Sequence, residues 1–275
     1  MKSGARDRRP KPVLLVTGSS SGIGRACCER LGRRGFIVYG CSRRACRSEV
    51  WFHLSADVTR EDSLAAAVET VVDREGRIDA LVHCAGMSLA GALEDVTIEE
   101  AKQQFETNYF GTVRAIRAVL ATMRRQRSGR IIIIGSIGGL IGLPYIGHYS
   151  ATKFALDGLV QALRAEVKPF GVQASILHPG DVSTAIADNQ VTARNANAHS
   201  PYHAPFRSTV DLYSELVRKA RPPEVVARAV ERLLQRRRLA PRYVIGTPVE
   251  VVAVQLKTYL PARGFEYIFR KAYRL

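Results

Sequence analysis

Cysteine pairs with the spacing of metal or redox sites are missing from this chain of 275 residues. Its five cysteines are Cys27, Cys28, Cys41, Cys46 and Cys84, and none forms a C-x-x-C pair. An odd number of cysteines without such spacing indicates free thiols in a reducing compartment and not a disulfide framework. We therefore expect no metal site, and we expect a cytoplasmic protein.

Long apolar runs are also missing. No stretch approaches the ~20 uninterrupted apolar residues that span a bilayer, and the basic residues 1–11 are not followed by the apolar region of a secretion signal. The chain is 46% hydrophobic and 24% charged. This composition is ordinary for a globular protein, and the length is enough to bury a sizeable core. The sequence thus excludes a disordered chain and predicts a folded one without a membrane span.

Acidic residues are fewer than basic ones. The chain has 25 Asp and Glu and 41 Lys and Arg, which gives a formal net charge of +16. Such an excess attracts phosphates, anionic lipids or nucleic acid. Here it is divided among four groups, within residues 2–11, 114–130, 232–242 and 257–274. Without zinc-finger spacing or an aromatic-interleaved RNA motif, this distribution favours solvated helix faces, and we expect no nucleic-acid partner.

Short apolar strands alternate with amphipathic helices along most of the chain. Predicted strands cover 13–16, 36–40, 51–54, 80–84, 131–134, 172–177 and 243–245, and predicted helices cover 22–34, 60–75, 98–126, 149–168 and 223–238. This alternation predicts an α/β fold: a doubly wound, Rossmann-like parallel sheet of about seven strands with helices on both faces.

The predicted domain organisation is simple. A basic flexible N-terminus at 1–11 precedes a single catalytic domain at 12–247, in which 182–222 shows no clear period and forms an insertion over the substrate. Residues 248–275 form a basic amphipathic extension. That extension could anchor peripherally on anionic lipid, or it could pack as a cap against the pocket or a second subunit. Both alternatives stay open at this stage.

A glycine-rich loop follows the first predicted strand. It reads Thr17-Gly-Ser-Ser-Ser-Gly-Ile-Gly24 and leads into a helix. Glycines at such spacing allow a tight turn, close approach of a pyrophosphate and close packing of helix on strand, while the helix N-terminus offers free N–H groups to phosphate. The candidate dinucleotide-binding residues of this loop are Gly18, Ser20, Ser21, Gly22, Ile23 and Gly24.

Four polar residues are candidates for chemistry. Tyr149 and Lys153 lie at i and i+4 of a predicted helix, so their side chains share one face. Ser136 follows the strongly apolar strand 131–134, and Asn108 lies inside the long predicted helix. A phenol has a pKa near ~10 and needs a neighbouring cation to carry protons at neutral pH.

Together the T-G-x-x-x-G-x-G loop and the ordered set Asn108, Ser136, Tyr149 and Lys153 resemble the short-chain dehydrogenase/reductase family. The resemblance implies that Tyr149 is the acid/base, that Ser136 donates to the substrate oxygen, and that Lys153 lowers the pKa of Tyr149 and holds the nicotinamide ribose. It implies that Asn108 holds a water that links Lys153 to solvent. A catalytically silent NADP(H)-sensing protein of the same fold is the alternative.

The same resemblance implies further cofactor contacts. They fall after the third, fourth and sixth strands, at Asp57, Val58, Cys84, Ala85, Gly86, Pro179, Gly180, Val182 and Thr184, besides Tyr149 and Lys153 themselves. Cys84 stands where the family usually carries Asn. We expect this replacement to alter local bracing and not to remove catalysis.

Cofactor preference is predicted from the end of the second strand. NAD-specific relatives carry an acid there that binds the ribose 2′-hydroxyl, whereas this chain has Ser42 followed by Arg43. A guanidinium offers paired donors to a 2′-phosphate. NADP(H) is therefore preferred, and NAD(H) is the second choice.

The segment around Tyr149 and the extra C-terminal residues resemble the 17β-hydroxysteroid and retinol dehydrogenase branch. That branch implies a bulky apolar alcohol or ketone of steroid, retinoid or long-chain acyl type, and a homodimer or homotetramer. Residues of 182–222 would then close over the substrate and exclude water. Candidate wall residues are Ile186, Tyr202, Phe206, Leu212 and Tyr213.

Overall fold

A seven-stranded parallel sheet forms the centre of the computed structural model, which describes residues 10–184 and 190–273. Its strand order is β3-β2-β1-β4-β6-β7-β9, and each neighbouring pair is parallel. The strands are β1 Val13–Thr17, β2 Ile37–Ser42, β3 Phe52–Ser55, β4 Ala80–His83, β6 Gly129–Ile134, β7 Val172–Pro179 and β9 Arg242–Ile245. The order reverses between β1 and β4, which is where such sheets open a ligand crevice at the carboxyl ends of the strands.

Helices cover both faces of the sheet. They are α1 Gly22–Arg33, α2 Glu61–Glu75, α3 Ile98–Phe105, α4 Gly111–Gln126, α5 Gly147–Val167, α6 His203–Lys219, α7 Glu224–Gln235, α8 Pro248–Tyr259 and α9 Ala262–Ala272. Alternate residues of β1 face opposite sides: Leu15 packs with α2, α4 and α5, and Leu14 packs with α1 and α7. Strands buried on both faces explain the continuous apolar runs in the sequence.

The fold class predicted from the sequence is confirmed, and the predicted strands coincide with observed ones to within about two residues. One predicted helix differs. Residues 98–126 are not a regular helix, because a π-helical turn at Glu106–Phe110 separates α3 from α4. One extra residue in a turn leaves the apolar period nearly intact, so periodicity could not reveal it.

The 182–222 segment has more structure than its sequence period indicated. The short strand β8 (Val191–Thr192) pairs in parallel with β5 (Leu89–Ala90), and α6 follows. Only Phe206 and Thr209 of α6 are buried, so its apolar face is narrow and the sequence pattern was weak. Within 10–184 and 190–273, no helix is both long and apolar enough to cross a bilayer.

Candidate active site

The glycine loop lies at the carboxyl end of β1. Gly18 and Gly22 adopt φ angles of +70° and +52°, which a side chain would strain. A Cβ on Gly18 would also lie 2.9 Å from the backbone N of Ala85, and one on Gly24 would lie 3.0 Å from the carbonyl oxygen of Thr17. These glycines therefore let three chain segments meet without side chains between them.

The N-terminus of α1 is open to an anion. Its cap residue Ser21 makes no side-chain hydrogen bond to the helix, and the first turn has no acidic residue. Free N–H groups and the helix dipole together favour phosphate at such a place. Gly22 faces Thr184, whose Cβ would lie 3.3 Å from a Cβ built on Gly22. The loop thus has the cradle that a dinucleotide pyrophosphate needs, and Ser20 and Ile23 border it half-buried.

Ser42 and Arg43 lie at the end of β2, next to this loop. The Ser42 hydroxyl donates to the Arg44 carbonyl at 2.8 Å and lies 3.3 Å from the Ser19 hydroxyl. The Arg43 side chain is exposed. Burial raises the pKa of Asp57, but hydrogen bonds from Thr59 and the charge of Arg43 outweigh it and lower that pKa. Arg43 and Asp57 therefore lie close together at this edge.

The segment after β4 is held by a threonine hydroxyl. Thr17 Oγ1 accepts the N–H groups of Cys84 and Ala85 at 3.1 and 3.3 Å and lies at hydrogen-bonding distance, 2.9 Å, from His83 Nδ1. Burial and the Lys153 charge lower the pKa of His83 to about 3, so this imidazole stays neutral. A hydrogen bond with Cys27, together with burial, raises the pKa of the Cys84 thiol. The backbone of this segment is thus braced by the hydroxyl of Thr17.

Ser136 and Tyr149 come together beyond β6. Ser136 Oγ accepts the Gly138 N–H at 3.0 Å, which orients the hydroxyl, and a Cβ on Gly138 would lie 3.3 Å from Ser136 Oγ and 3.4 Å from Tyr149 Cε1. Burial raises the pKa of the Tyr149 phenol, a hydrogen bond with Ser136 opposes this, and the charge of Asp181 adds to the rise. The phenol of Tyr149 is therefore protonated at neutral pH and lies close to Ser136.

Lys153 extends to the same place from one turn further along α5. Its ammonium is buried, donates to the Ile134 carbonyl at 3.0 Å and lies 5.6 Å from the centre of the Tyr149 ring. Burial lowers the pKa of Lys153 to about 8. The expected lowering of the Tyr149 pKa by Lys153 is not found, because burial is the largest influence, Ser136 is the group that opposes it, and Lys153 is not among the groups that shift this pKa.

Asn108 lies in the π-helical turn and is fully buried. Its Oδ1 accepts the Met87 N–H at 2.8 Å, and its Nδ2 donates to the Met87 carbonyl at 3.0 Å and to Thr152 Oγ1 at 3.1 Å. A Cβ on Gly86 would lie 3.3 Å from Asn108 Oδ1 and 3.9 Å from Lys153 Nζ. Asn108 and Lys153 therefore approach each other beside Gly86, and the amide of Asn108 also ties the 86–88 segment to α5.

An apolar cluster borders Tyr149 on one side. Its buried members are Leu89, Ala90, Val96, Ile146, Ala193, Ala196 and Phe206, and Tyr149 and Tyr213 pack against it. Of the candidate wall residues, Phe206 and Tyr213 belong to this cluster, Leu212 is half-buried outside it, and Tyr202 is exposed with its hydroxyl on Glu94 at 2.9 Å. Ile186 lies outside the described residues.

The turn at the end of β7 contains the predicted residues Pro179, Gly180 and Val182, together with Asp181. The sequence did not indicate Asp181 or its partner Glu250. Gly180 donates its N–H to the Ile245 carbonyl at 2.7 Å, and Asp181 donates its N–H to Glu250 Oε1 at 2.6 Å. Val182 pairs with Arg221 in an isolated parallel β-bridge, and Pro179 is buried at the end of β7. Thr247-Pro-Val-Glu250 is a capping-box pattern, which is the sequence signal that could have located the start of α8.

The C-terminal helices pack on the chain at this turn. Lys257 of α8 donates to the Leu140 carbonyl and lies 4.8 Å from the centre of the Phe154 ring. Tyr273, just after α9, lies 5.5 Å from Tyr213 between ring centroids. The outer surfaces of both helices leave large apolar side chains exposed, including Val249, Tyr259 and Tyr267.

Comparison with known proteins agrees with this geometry. The family model described as short chain dehydrogenase matches residues 12–195. This chain belongs to the short-chain dehydrogenase/reductase family. It is an oxidoreductase that acts on CH–OH groups or the corresponding carbonyls, as the family and its named relatives indicate.

Several relatives are similar over most of the chain. A 3-ketodihydrosphingosine reductase of Bacteroides thetaiotaomicron is 36% identical over 96% of this chain and 98% of its own. Human 17-beta-hydroxysteroid dehydrogenase type 1 is 39% identical over 65% of this chain and 59% of its own. The structure of a short-chain dehydrogenase from Streptomyces avermitilis matches with a TM-score of 0.78 and 31% identity, covering 96% of this chain and 98% of that one.

These findings confirm the family predicted from the sequence and its likeness to the steroid branch. Solved proteins of the same fold include one complex with NAD and one with NADP. The fold therefore accepts either dinucleotide, and the choice between them depends on individual residues at the end of β2.

Proposed function

We propose that this protein reduces the ketone of a long-chain apolar substrate of the 3-ketodihydrosphingosine type with NADPH. The observation that carries the proposal is the meeting of Tyr149, Ser136 and Lys153 beside an apolar cluster at the carboxyl ends of the strands. The substrate class is supported by the relative of that name, which matches nearly the whole chain at 36% identity.

Tyr149 is the proton donor in this proposal. Its raised pKa keeps the phenol protonated at neutral pH, which is the form that reduction of a carbonyl requires. Bound NADPH supplies the hydride. Ser136 Oγ is oriented by the Gly138 N–H, and in this proposal its proton is donated to the substrate oxygen, where negative charge develops.

Lys153 and Asn108 return a proton to Tyr149. The pKa of about 8 at Lys153 lies near neutrality, so this ammonium can give up and regain a proton at low cost. Asn108 Oδ1 accepts one hydrogen bond from Met87 and retains a second lone pair toward the space beside Gly86. A water held there would connect Lys153 to solvent.

NADPH is proposed over NADH because of charge at the end of β2. The exposed Arg43 is the basic residue next to Ser42, and no acid occupies position 42. A 2′-phosphate can form charge-assisted hydrogen bonds with this guanidinium. The N-terminus of α1 and its uncapped N–H groups would hold the pyrophosphate.

For assembly we propose a homodimer formed through α4 and α5. Two aromatic side chains on this side stay partly exposed, Phe110 at 46% and Phe154 at 40%, and apolar surface of this kind marks interfaces. Sedimentation velocity of the purified chain checks the proposal, and a monomer at micromolar concentration would contradict it.

The proposed reaction is tested by NADPH oxidation with 3-ketodihydrosphingosine and, in parallel, with a steroid ketone. We expect the sphingoid ketone to be favoured in kcat/KM by about tenfold or more, with sphinganine identified as the product by mass spectrometry. Turnover of the steroid ketone alone would reject the substrate class. A preference for NADH in the same assay would reject the cofactor assignment.

A further inference from the structure

We propose that the carboxylate of Asp181 binds the ammonium group of an amino-ketone substrate, beside the carbonyl that Tyr149 protonates. The inference rests on the proposed function, because a 3-ketodihydrosphingosine carries an amine on the carbon next to its ketone. It adds a specificity residue that separates cationic sphingoid substrates from neutral ketones such as steroids.

Asp181 is held in place by its backbone, while its side chain has no hydrogen-bond or ion-pair partner among the described residues. Its N–H donates to Glu250 Oε1 at 2.6 Å, and the preceding Gly180 is bonded to β9. The residue is half-buried. Its carboxylate oxygens make no hydrogen bond or ion pair with any residue of 10–184 or 190–273, so both are available to a ligand.

The carboxylate lies among the phenols that surround the reaction site. Its charge raises the pKa of Tyr149, Tyr213 and Tyr273, in each case adding to the larger effect of burial. Tyr149 and Tyr213 also pack against the apolar cluster, and Tyr273 lies 5.5 Å from Tyr213. Asp181 comes just after β7, which pairs with β6, the strand that leads to Ser136. Asp181 therefore lies at the same edge of the sheet as the reaction site.

Two other carboxylates with little exposure, Asp157 and Glu231, each pair with at least one arginine. Asp157 pairs with Arg242 at 2.5 Å and with His178 at 3.1 Å. Glu231 pairs with Arg30 at 2.5 Å and with Arg34 at 2.8 Å. Among the described residues, the one charged group that shifts the pKa of Asp181 is the carboxylate of Glu250, and no cation does so.

An unpartnered carboxylate of this kind is costly to bury. Burial and the charge of Glu250 raise the pKa of Asp181 to about 6. Glu250 is itself engaged, since its oxygens accept three hydrogen bonds from Asp181 and Thr247. A ligand ammonium would give Asp181 the partner that the described part of the chain does not provide, and charge-assisted hydrogen bonds of this type are among the strong ones.

The chemistry of the substrate matches this position. In a 2-amino-3-ketone the amine is bonded to the neighbour of the carbonyl carbon, so a carbonyl oxygen at Tyr149 brings the ammonium close to it as well. A carboxylate near Tyr149 can then bind the amine without disturbing the proton donor. A neutral ketone would leave the Asp181 carboxylate without a cation and would obtain no binding free energy from it.

The test compares two ligand pairs that differ only in the amine, in short-chain forms that stay monomeric in water. The first pair is the 2-amino-3-ketone and its desamino analogue, compared in kcat/KM with NADPH. The second is the corresponding amino diol and desamino diol, compared in Kd by calorimetry on the enzyme loaded with NADP. Asp181→Asn is the variant, Asp181→Glu the charge-retaining variant, and Asp211→Asn the control, since Asp211 is an exposed carboxylate on α6.

We expect Asp181→Asn to lower kcat/KM for the amino ketone and to raise Kd for the amino diol, each by about 10-fold to 100-fold, as loss of a hydrogen bond to a charged group does. The corresponding values for the desamino compounds should stay within a few-fold of the wild type. Asp181→Glu should retain the preference for the amine, and Asp211→Asn should match the wild type. If the wild-type protein shows equal kcat/KM and equal Kd for the amino and desamino ligands, the inference is overturned, even if the ketone is reduced. Amine-selective binding without ketone turnover would reject the proposed function and leave the assignment of Asp181 standing.

Discussion

Glu250 of α8 holds the backbone of Asp181 with a hydrogen bond of 2.6 Å from the Asp181 N–H to its Oε1. The other oxygen of Glu250 accepts the N–H and the hydroxyl of Thr247, which closes the capping box of α8. One carboxylate thus joins the start of the C-terminal extension to the turn after β7. The position of Asp181 in the site depends on this connection.

Gly180→Ala should break the connection. A Cβ on Gly180 would overlap the carboxylate of Glu250, and overpacking of this kind costs about 1–3 kcal/mol. We expect a lower denaturant midpoint and a higher KM for the substrate. In a Glu250→Ala background, Gly180→Ala should lower the free energy of unfolding by clearly less, because the effects of substitutions at contacting residues are not additive. Additive effects in this double-mutant cycle would show that Gly180 and Glu250 are not coupled.

Tyr149→Phe should abolish turnover and leave cofactor affinity within a few-fold. The variant keeps the ring but loses the proton donor, and general acid catalysis contributes about 10²–10⁴ in rate. Tyr259→Phe is the matched control, since Tyr259 is 84% exposed on α8. Turnover is followed by NADPH oxidation, and affinity by quenching of protein fluorescence. Retained turnover in Tyr149→Phe would refute the acid/base assignment.

Arg43→Asp should shift cofactor preference from NADPH toward NADH. The change removes a guanidinium and places an acid near the 2′-position, where it accepts a ribose hydroxyl and repels a phosphate. Arg47→Asp makes the same change of charge at another exposed position of the same loop. The ratio of kcat/KM for the two cofactors is the readout. If both variants change it equally, general electrostatics and not a 2′-phosphate site explains the preference.

Much of the framework could be predicted from the sequence because its signals are local. The apolar run Val13 to Val16, the glycines after it and the i, i+4 spacing of Tyr149 and Lys153 each reflect contacts within a few residues. Parallel pairing then brings the strand ends together, so residues as distant as Gly18 and Ala85 meet. The fold class follows from these local patterns and the alternation of elements.

The features that could not be predicted depend on contacts between distant segments. Glu250 and Asp181 are 69 residues apart, and no local pattern links them. The direction of the pKa shift at Tyr149 could not be predicted from the sequence either, because the effect of burial on the phenol outweighs that of Ser136. How deeply a group is buried is a property of the packed molecule.

The unpartnered carboxylate of Asp181 should make the folded protein less stable as pH rises. Its pKa of about 6 in the folded state lies above its ordinary value of 3.8, so the folded state binds more protons than the unfolded state between these two values. Stability contributed by this group is therefore present below about pH 4 and is lost as pH rises through about 6. Glu250 and the phenols of Tyr149, Tyr213 and Tyr273 also face Asp181, and the phenols remain neutral throughout this range.

Asp181→Asn removes this titration, and we expect the variant to be more stable than the wild type at pH 8. The difference should shrink as pH falls through 6 and be small at pH 4, where the wild-type carboxyl is protonated in the folded state and only partly ionised in the unfolded state. The free energy of unfolding is measured in denaturant from pH 4 to pH 8 for wild type, Asp181→Asn and the exposed control Asp211→Asn. If the variant has a higher free energy of unfolding but a lower kcat/KM for the amino ketone, the carboxylate is retained for substrate binding although it lowers the stability of the folded protein. A variant less stable than the wild type at pH 8 would mean that a cationic or hydrogen-bonding partner already holds Asp181 in the free protein.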